Sequence, residues 1–485
     1  MEEAGIPKQS SSLGLSLVLG GIASVAAIGS AQAQTVPAQP SGTVSDQFER
    51  PQLPQSQPLP PFRIERPQAG QSLAGEQFPV RDIVVSGVTT IDRAEVDALV
   101  APLEGRSTNL AELARLADAI TAVYARRGYA LSFALVPEQT VENGVVRIRV
   151  VEGVIDAVAV EFKGDKMLVG RGRIESAVRR RFAPLVGAGP IRSAELERAV
   201  LEVKDLSGLD ASVIVRPSTS TEGAATLVVV ITTKLLDAAV GIDNRLRSEF
   251  GREEIFSMLA VNSALTVGDR IEVQGRRSLD SEAFGYASIS YESQIGHSAA
   301  RATGFYSRAR TEARSGVLGL LDYTGTEETF RFGVRYPLMR SRASSLYLSG
   351  DLGGIDTRGR LFGINVARDN VRTLSFGVSY DWADSTGATS LASLRFVQGV
   401  EGLGATGSAN PLRSRVTADP DASYVTARLF RNQPLGGGFR ARFDVETQLV
   451  TSGTSLLASS ECTFGGPAIG RGYDAGAISG DECWR

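Results

Sequence analysis

Histidine and cysteine are nearly missing from this chain of 485 residues, which holds one His (His297) and two Cys (Cys462 and Cys483). That scarcity argues against His-dependent catalysis, His/Cys zinc sites and a disulfide-dense scaffold. No Gly-Lys dipeptide occurs, so a Walker A phosphate loop is excluded. An excess of charge is missing too: 51 Lys+Arg stand against 54 Asp+Glu, a net −3, which argues against a nucleic-acid-binding surface. His297 falls in the turn 296–298, and no nucleophile–base set accompanies it, so neither an enzyme nor a cofactor is expected. Only residues 13–29 form a long apolar run, too short and too rich in small residues for a comfortable membrane helix. The pattern Ala31-Gln32-Ala33 follows it, so 1–33 reads as a secretory signal peptide, although Lys8 is opposed by Glu2 and Glu3. The chain is expected to work outside the cytoplasm.

What is present is glycine, 52 of 485 residues or about 11% against the usual ~7%. Residues 34–77 carry Pro58, Pro60, Pro61 and Pro67 among Gln and Ser, and proline's missing donor and extended bias make a semi-rigid linker. An α+β unit is expected over 78–153. It has a strand at 78–86, a helix opened by Asp92 with Glu95, and a second helix from Asn109 to a stop at Gly128. Strands at 129–136 and 144–151 follow, joined through Asn143-Gly144. The order β-α-α-β-β recurs over 154–233, and each unit would leave a sheet edge open to an extended peptide.

Beyond about residue 236 the helical period gives way to strict alternation. Leu374, Phe376, Val378, Tyr380 and Trp382 face one way, and Thr373, Ser375, Gly377, Ser379 and Asp381 the other. About eleven such strands are expected, near 237–245, 253–263, 270–277, 284–295, 299–311, 326–336, 344–355, 369–383, 388–399, 424–432 and 438–451. A soluble sandwich also alternates. Here the strand lengths, the short turns alternating with long loops and the charges on the polar face favour an antiparallel transmembrane β-barrel. Its lumen would be lined by Arg331, Arg335, Asp351, Asp381, Arg440, Arg442, Asp444 and Glu446.

Near the end stand Gly465-Gly466, Gly470-Arg471-Gly472-Tyr473 and Ser479-Gly480-Asp481. Together they resemble the loop of two-partner secretion transporters, the haemolysin/haemagglutinin secretion-activation family within the POTRA-plus-barrel superfamily. The first unit resembles that family's first POTRA (polypeptide-transport-associated) domain through Tyr124, Gly128-Tyr129, Pro137 with Gln139, Asn143-Gly144 and Val151-Glu152-Gly153. Asp205-Leu206-Ser207-Gly208 and the strand at 225–232 resemble the second, and Asp243-Asn244 the start of the barrel. The likeness spans 78–485.

The resemblance implies a Gram-negative outer-membrane transporter over 236–485, with periplasmic POTRA domains that recognise a large β-helical exoprotein of adhesin or cytolysin type. Export would proceed without ATP. Outer-membrane lipid, periplasmic chaperones and the barrel-assembly machinery are the other implied partners, and nucleic acid is not among them. A barrel-assembly insertase of the same superfamily and a passive porin are the alternatives. Residues 452–485 would form the loop that carries Arg471 into the lumen toward a wall carboxylate. Cys462 and Cys483 flank that loop in an oxidising compartment and are expected to pair. In the family a plug helix often precedes the linker, and none is evident here. The loop there lies between strands eleven and twelve of sixteen, so this chain is expected to lack closing strands, with a gapped sheet after 451 and 452–485 poorly held.

Overall fold

A computed structural model describes residues 63–64, 77–163, 170–221, 224–279, 282–296, 298–466, 469–470 and 472–485. The expected signal peptide, most of the linker, any plug helix, His297 and Arg471 lie outside the described residues.

Strand β1 (Arg63–Ile64) precedes the first module. That module comprises β2 (Phe78–Val80), β3 (Asp82–Ser86), α1 (Arg93–Val100), β4 (Arg106–Thr108), α2 (Leu110–Arg126), β5 (Phe133–Leu135) and β6 (Val145–Val151). The Asp92 side chain starts α1 by accepting from the Ala94 amide at 3.0 Å. Glu95 does not complete the expected capping box, because it pairs with Arg127 at 2.6 Å. Asn109 caps α2 through the Glu112 amide at 2.9 Å, and Gly128, at φ 89°, lets the chain leave the helix. Val96, Leu113, Ile120 and Tyr124 then meet Ile83, Val85 and Ile148 in one core.

Two expected strands are corrected. The run 78–86 divides into β2 and β3, because β2 pairs with β4 while β3 pairs in parallel with β6. The run 129–136 shrinks to β5, because the chain folds into a turn. There the Tyr129 amide donates to the Tyr124 carbonyl at 2.9 Å and the Ser132 amide to the Tyr129 carbonyl at 3.0 Å. Tyr129 and Leu131 are apolar for burial, not for a sheet face.

The second module contains β7 (Val154–Lys163), α3 (Arg171–Phe182), α4 (Ser193–Lys204), β8 (Leu209–Pro217) and β9 (Ala224–Thr233). Its sheet order is β1-β8-β9-β7, so the linker itself supplies a two-residue parallel partner to Ile214 and Val215 of β8. Phe182, Leu196, Val203, Leu227 and Ile231 form its core.

An antiparallel sheet of twelve strands follows. Eleven are long: β10 (Leu236–Asp243), β11 (Glu254–Asn262), β12 (Arg270–Ser278), β13 (Phe284–Gln294), β14 (Arg301–Glu312), β15 (Thr324–Arg340), β16 (Ser344–Leu361), β17 (Ile364–Ala383), β18 (Thr389–Gly399), β19 (Ser423–Gly436) and β20 (Phe439–Val450). After the short hairpin of β21 (Cys462–Phe464) and β22 (Ile478–Gly480), the twelfth, β23 (Cys483–Trp484), pairs with Thr447 and Gln448 of β20. Among the described residues no pairing joins β10 to β23.

Strands β15, β16 and β17, at 17, 18 and 20 residues, outrun the expected segments. The added residues include Asp356, Arg358, Arg360 and Arg368 on the outer sides of β16 and β17 and Pro337 to Arg340 at the inner end of β15, where the alternation used to bound them breaks. The alternation holds elsewhere. Phe332, Val334, Phe376, Val378, Phe443 and Val445 are exposed on the outer face, while Ser345, Ser375 and Asp381 are buried on the inner one. Among the described residues no helix is long and apolar enough to cross a membrane, and strands need none.

Candidate functional site

Where the second module meets the inner end of the sheet, a vestibule of about 1400 Å³ opens. Its wall is charged with both signs: Arg270, Arg301, Arg331, Arg335, Arg395 and Arg428 alternate with Glu272, Glu292, Asp351 and Glu446. Period-two strands put these side chains on one face. Arg270 bonds Glu272 at 2.7 Å and Asp237 at 2.9 Å, Arg395 pairs with Asp351, and Arg335 stacks over the Tyr347 ring at 3.7 Å. Such a wall offers water and polar groups short, exchangeable contacts.

Of the eight residues expected in the lumen, Arg331, Arg335, Asp351 and Glu446 line this vestibule. Asp381 is buried on the inner face of β17 and is not among the residues that line it. Asp444 is held by Arg428 at 2.8 and 2.9 Å and by Arg442 at 2.7 Å. Arg440 is exposed near the turn that ends β19 and does not line the vestibule, a correction to its expected place. It sits too close to the strand's end to be enclosed.

The Asp205-Leu206-Ser207-Gly208 turn docks the second module on the sheet. Asp205 takes a two-pronged bond from Arg340, at 2.8 and 3.0 Å, and Arg301 reaches both the Asp205 carbonyl and the Ser207 hydroxyl. Glu197 holds Arg342 at 2.9 Å. Any Cβ at Gly268 would lie 2.5 Å from Leu206, so the turn after β11 must be bare to receive it. Sequence reasoning singled out Asp205-Leu206-Ser207-Gly208 as a motif but missed Arg301 and Arg340, which lie more than 90 residues downstream of it with no local signal.

The motif residues of the first module build two structural joints. In one joint, Gly128 accepts from the Ser193 amide at 2.8 Å, Arg192 stacks on Tyr129 at 5.7 Å, and a Cβ at Gly153 would lie 2.5 Å from Leu131. These contacts lock the modules together. In the other, the Glu152 carboxylate accepts from the Thr89 amide at 2.7 Å, the Thr90 amide at 2.8 Å, the Thr90 hydroxyl at 2.6 Å and the Tyr124 hydroxyl at 2.7 Å. Burial pushes this carboxyl up, but the bonds from Thr89, Thr90 and Tyr124 outweigh it and hold it at about 2. Burial and the same carboxylate push the Tyr124 hydroxyl above its ordinary value. Gln139, just after Pro137, both accepts from the Arg147 amide and donates to its carbonyl, each at 2.7 Å. Asn143 and Gly144 take φ 56° and 71° in the turn before β6, where glycine is the easy choice.

At the opposite end, 452–485 is better held than expected. Cys462 and Cys483 form a disulfide, with Cα atoms 6.4 Å apart. Asp481 takes two bonds from Arg415, and the Asp474 carboxylate accepts from the Ser248 hydroxyl at 2.8 Å, reaching the loop after β10. Gly480 pairs with Cys462, Tyr473 packs on Phe464 at 5.7 Å, and a Cβ at Gly470 would strike that Phe464 ring at 2.7 Å. Gly472 is open to space on its Cβ side. The described residues of this loop engage the outer loops, and none lines the vestibule.

A sheet apolar outside and charged within, docked to two α/β modules, defines an outer-membrane β-barrel protein with its modules in the periplasm. The model for the POTRA domain, ShlB-type, matches residues 78–153. That for the haemolysin secretion/activation protein ShlB/FhaC/HecB matches 226–485, and the chain belongs to this family, one of outer-membrane transporters. It is 27% identical over 315 residues to the outer membrane transporter CdiB of Escherichia coli O6:K15:H31, covering 63% of this chain and 51% of that one. The chain thus spans about half the length of that relative. It is 20% identical over 478 residues to the heme/hemopexin transporter protein HuxB of Haemophilus influenzae, covering 91% of this chain and 78% of that one. The solved structure of CdiB from Escherichia coli shares the fold with a TM-score of 0.60 at 22% identity, covering 86% of this chain and 76% of that one.

Proposed function

We propose that this chain is the membrane half of a two-partner secretion pair, exporting a large β-helical exoprotein of adhesin or cytolysin type. On this reading 1–33 is a signal peptide, 34–77 a linker, 78–153 and 154–233 are POTRA domains, and 236–485 is barrel, with 452–485 as its motif loop. The observation that carries it is the charged vestibule lying directly under the second module. A client held as an extended strand against a module's edge strand, β3 or β7, would be delivered to a hydrated wall lined by charges of both signs. The docked turn at Asp205 separates this arrangement from a passive porin. With no phosphate loop in the sequence, folding of the client outside supplies the drive.

The test mixes the purified full chain with the amino-terminal domain of a β-helical exoprotein from the same genome. Salt-sensitive binding is expected. No detectable binding at high micromolar concentration in low salt would remove export as the function.

A further inference from the structure

Two adjacent inner turns of the sheet present apolar residues to solvent beside an arginine-rich helix. In the turn between β11 and β12 the Asp269 carboxylate accepts from the amides of Ala264, Leu265 and Thr266 at 2.7, 2.9 and 2.8 Å. That brace fixes Leu265 at the tip, 65% exposed. The turn's other side, Val267, packs against the second module's core. In the turn between β13 and β14, Ile295 is also exposed. Both turns continue strands whose outward residues Leu259, Val273 and Ile289 are apolar and exposed. Leu265 and Ile295 therefore stand at the level where acyl chains give way to headgroups.

Helix α3 lies against both turns. Arg173 donates to the Leu265 carbonyl at 3.4 Å, and Arg181 donates to the Gln294 side chain. The helix reads RGRIESAVRRRF, and its apolar residues Ile174, Ala177, Val178 and Phe182 are buried. The charge consequently lies outside, and Arg173, Ser176 and Arg180 share one stripe, three and seven residues apart. Arg179 is matched by Glu175 at 2.8 Å. Among the described residues neither Arg173 nor Arg180 has a carboxylate partner, and Arg180 bonds the Ser176 hydroxyl at 2.8 Å.

We propose that Arg173 and Arg180, with Leu265 beside them, bind the headgroup phosphate of an anionic phospholipid, phosphatidylglycerol, in the periplasmic leaflet. A guanidinium meets phosphate through paired, charge-assisted bonds, and the neighbouring apolar tip takes up the start of an acyl chain. The bilayer itself would then fix the second module's height over the vestibule, in addition to the bonds at Asp205.

The test is native mass spectrometry of the detergent-purified full chain, with phosphatidylglycerol in one arm and phosphatidylethanolamine in another. At least fivefold better retention of phosphatidylglycerol is expected, abolished by Arg173→Ala with Arg180→Ala and untouched by Arg115→Ala with Arg126→Ala on the first module. Leu265→Ser should halve phosphatidylglycerol retention; retention at the wild-type level would turn the site into a bare anion site and overturn the membrane reading. Equal retention of the two lipids, or a preference that survives the Arg173 and Arg180 double variant, would sink the proposal. So would displacement of the lipid by equimolar inorganic phosphate or by a polyglutamate peptide, which would name a free anion or an acidic segment as the ligand.

Discussion

The two modules and the barrel use the same residue types in opposite places. In the first module Ile148 and Ile120 are fully buried, whereas in the sheet Phe376 is 58% and Phe332 60% exposed. Charge is inverted as well. Arg179 and Arg198 stand on the modules' surfaces, while Arg270, Arg340 and Arg428 are tucked inside the sheet. The inversion shows that the sheet's outer solvent is not water. An apolar band around strands is what lipid selects, and closing every backbone bond between neighbours is what lipid demands.

The largest test of that inversion sets one substitution in each region. Ile148→Ala leaves a cavity in a dry core and should cost about 2–5 kcal/mol, read as faster hydrogen exchange of the β6 amides. Phe376→Arg puts a cation on the outer face and should cost about 2–4 kcal/mol in bilayers. Trp382 lies on the same strand, stacked on Tyr380 at 5.3 Å, so its fluorescence reports unfolding there. A silent Phe376→Arg in bilayers would break the comparison, because the face would then be wet.

How far the sequence spoke for itself also divides along this line. Strand periodicity placed β10 through β20 because inside and outside alternate at every residue, and what escaped it was the charged outer ends of β16 and β17 and the inner ends of β15 and β19. In the modules the helices were legible from Asp92, Asn109 and Gly128. β4 was not: three residues, Arg106–Thr108, hold too little pattern to register. Tyr129 and Leu131 misled because burial at a joint between modules looks, locally, like a strand face. The motif residues Gly128, Gly153 and Asp205 were visible as identities, but their reasons were not. Ser193, Leu131 and Arg340 are tertiary neighbours that leave no local trace. The bond from Ser248 to Asp474 joins residues 226 apart, and no periodicity could announce it.

The second test compares the two ends of the sheet. The inner end is held by ion pairs with the second module, the outer end by the disulfide across a separation of 21 residues. Cys462→Ser with Cys483→Ser should cost about 3 kcal/mol in the chain-entropy account. It should speed proteolysis within 452–485 and leave the Asp205 docking untouched. Equal acceleration at both ends would mean that the loop and the module dock are one cooperative unit.

The smallest effect sharpens the difference in how carboxylates are held. In the vestibule they meet arginines; in the first module Glu152 meets the neutral donors of Thr89, Thr90 and Tyr124. Its folded value near 2 lies below the ordinary 4.5, so the charged form stabilises the module. That stabilisation is full above pH 4.5 and is lost as pH falls toward 2, where the folded group takes up its proton. Glu152→Gln presents one acceptor oxygen where the carboxylate presents two. It should lower the module's stability by about 1–2 kcal/mol at neutral pH and remove most of the loss between pH 4.5 and 2. Because the donors carry no charge, salt has little to screen, and the wild-type acid loss should persist in 1 M salt, where the Debye length is about 3 Å. Hydrogen exchange of the β3 and β6 amides across that pH range reads both results. An acid loss that vanishes in high salt would assign the effect to a distant ion pair and not to Glu152.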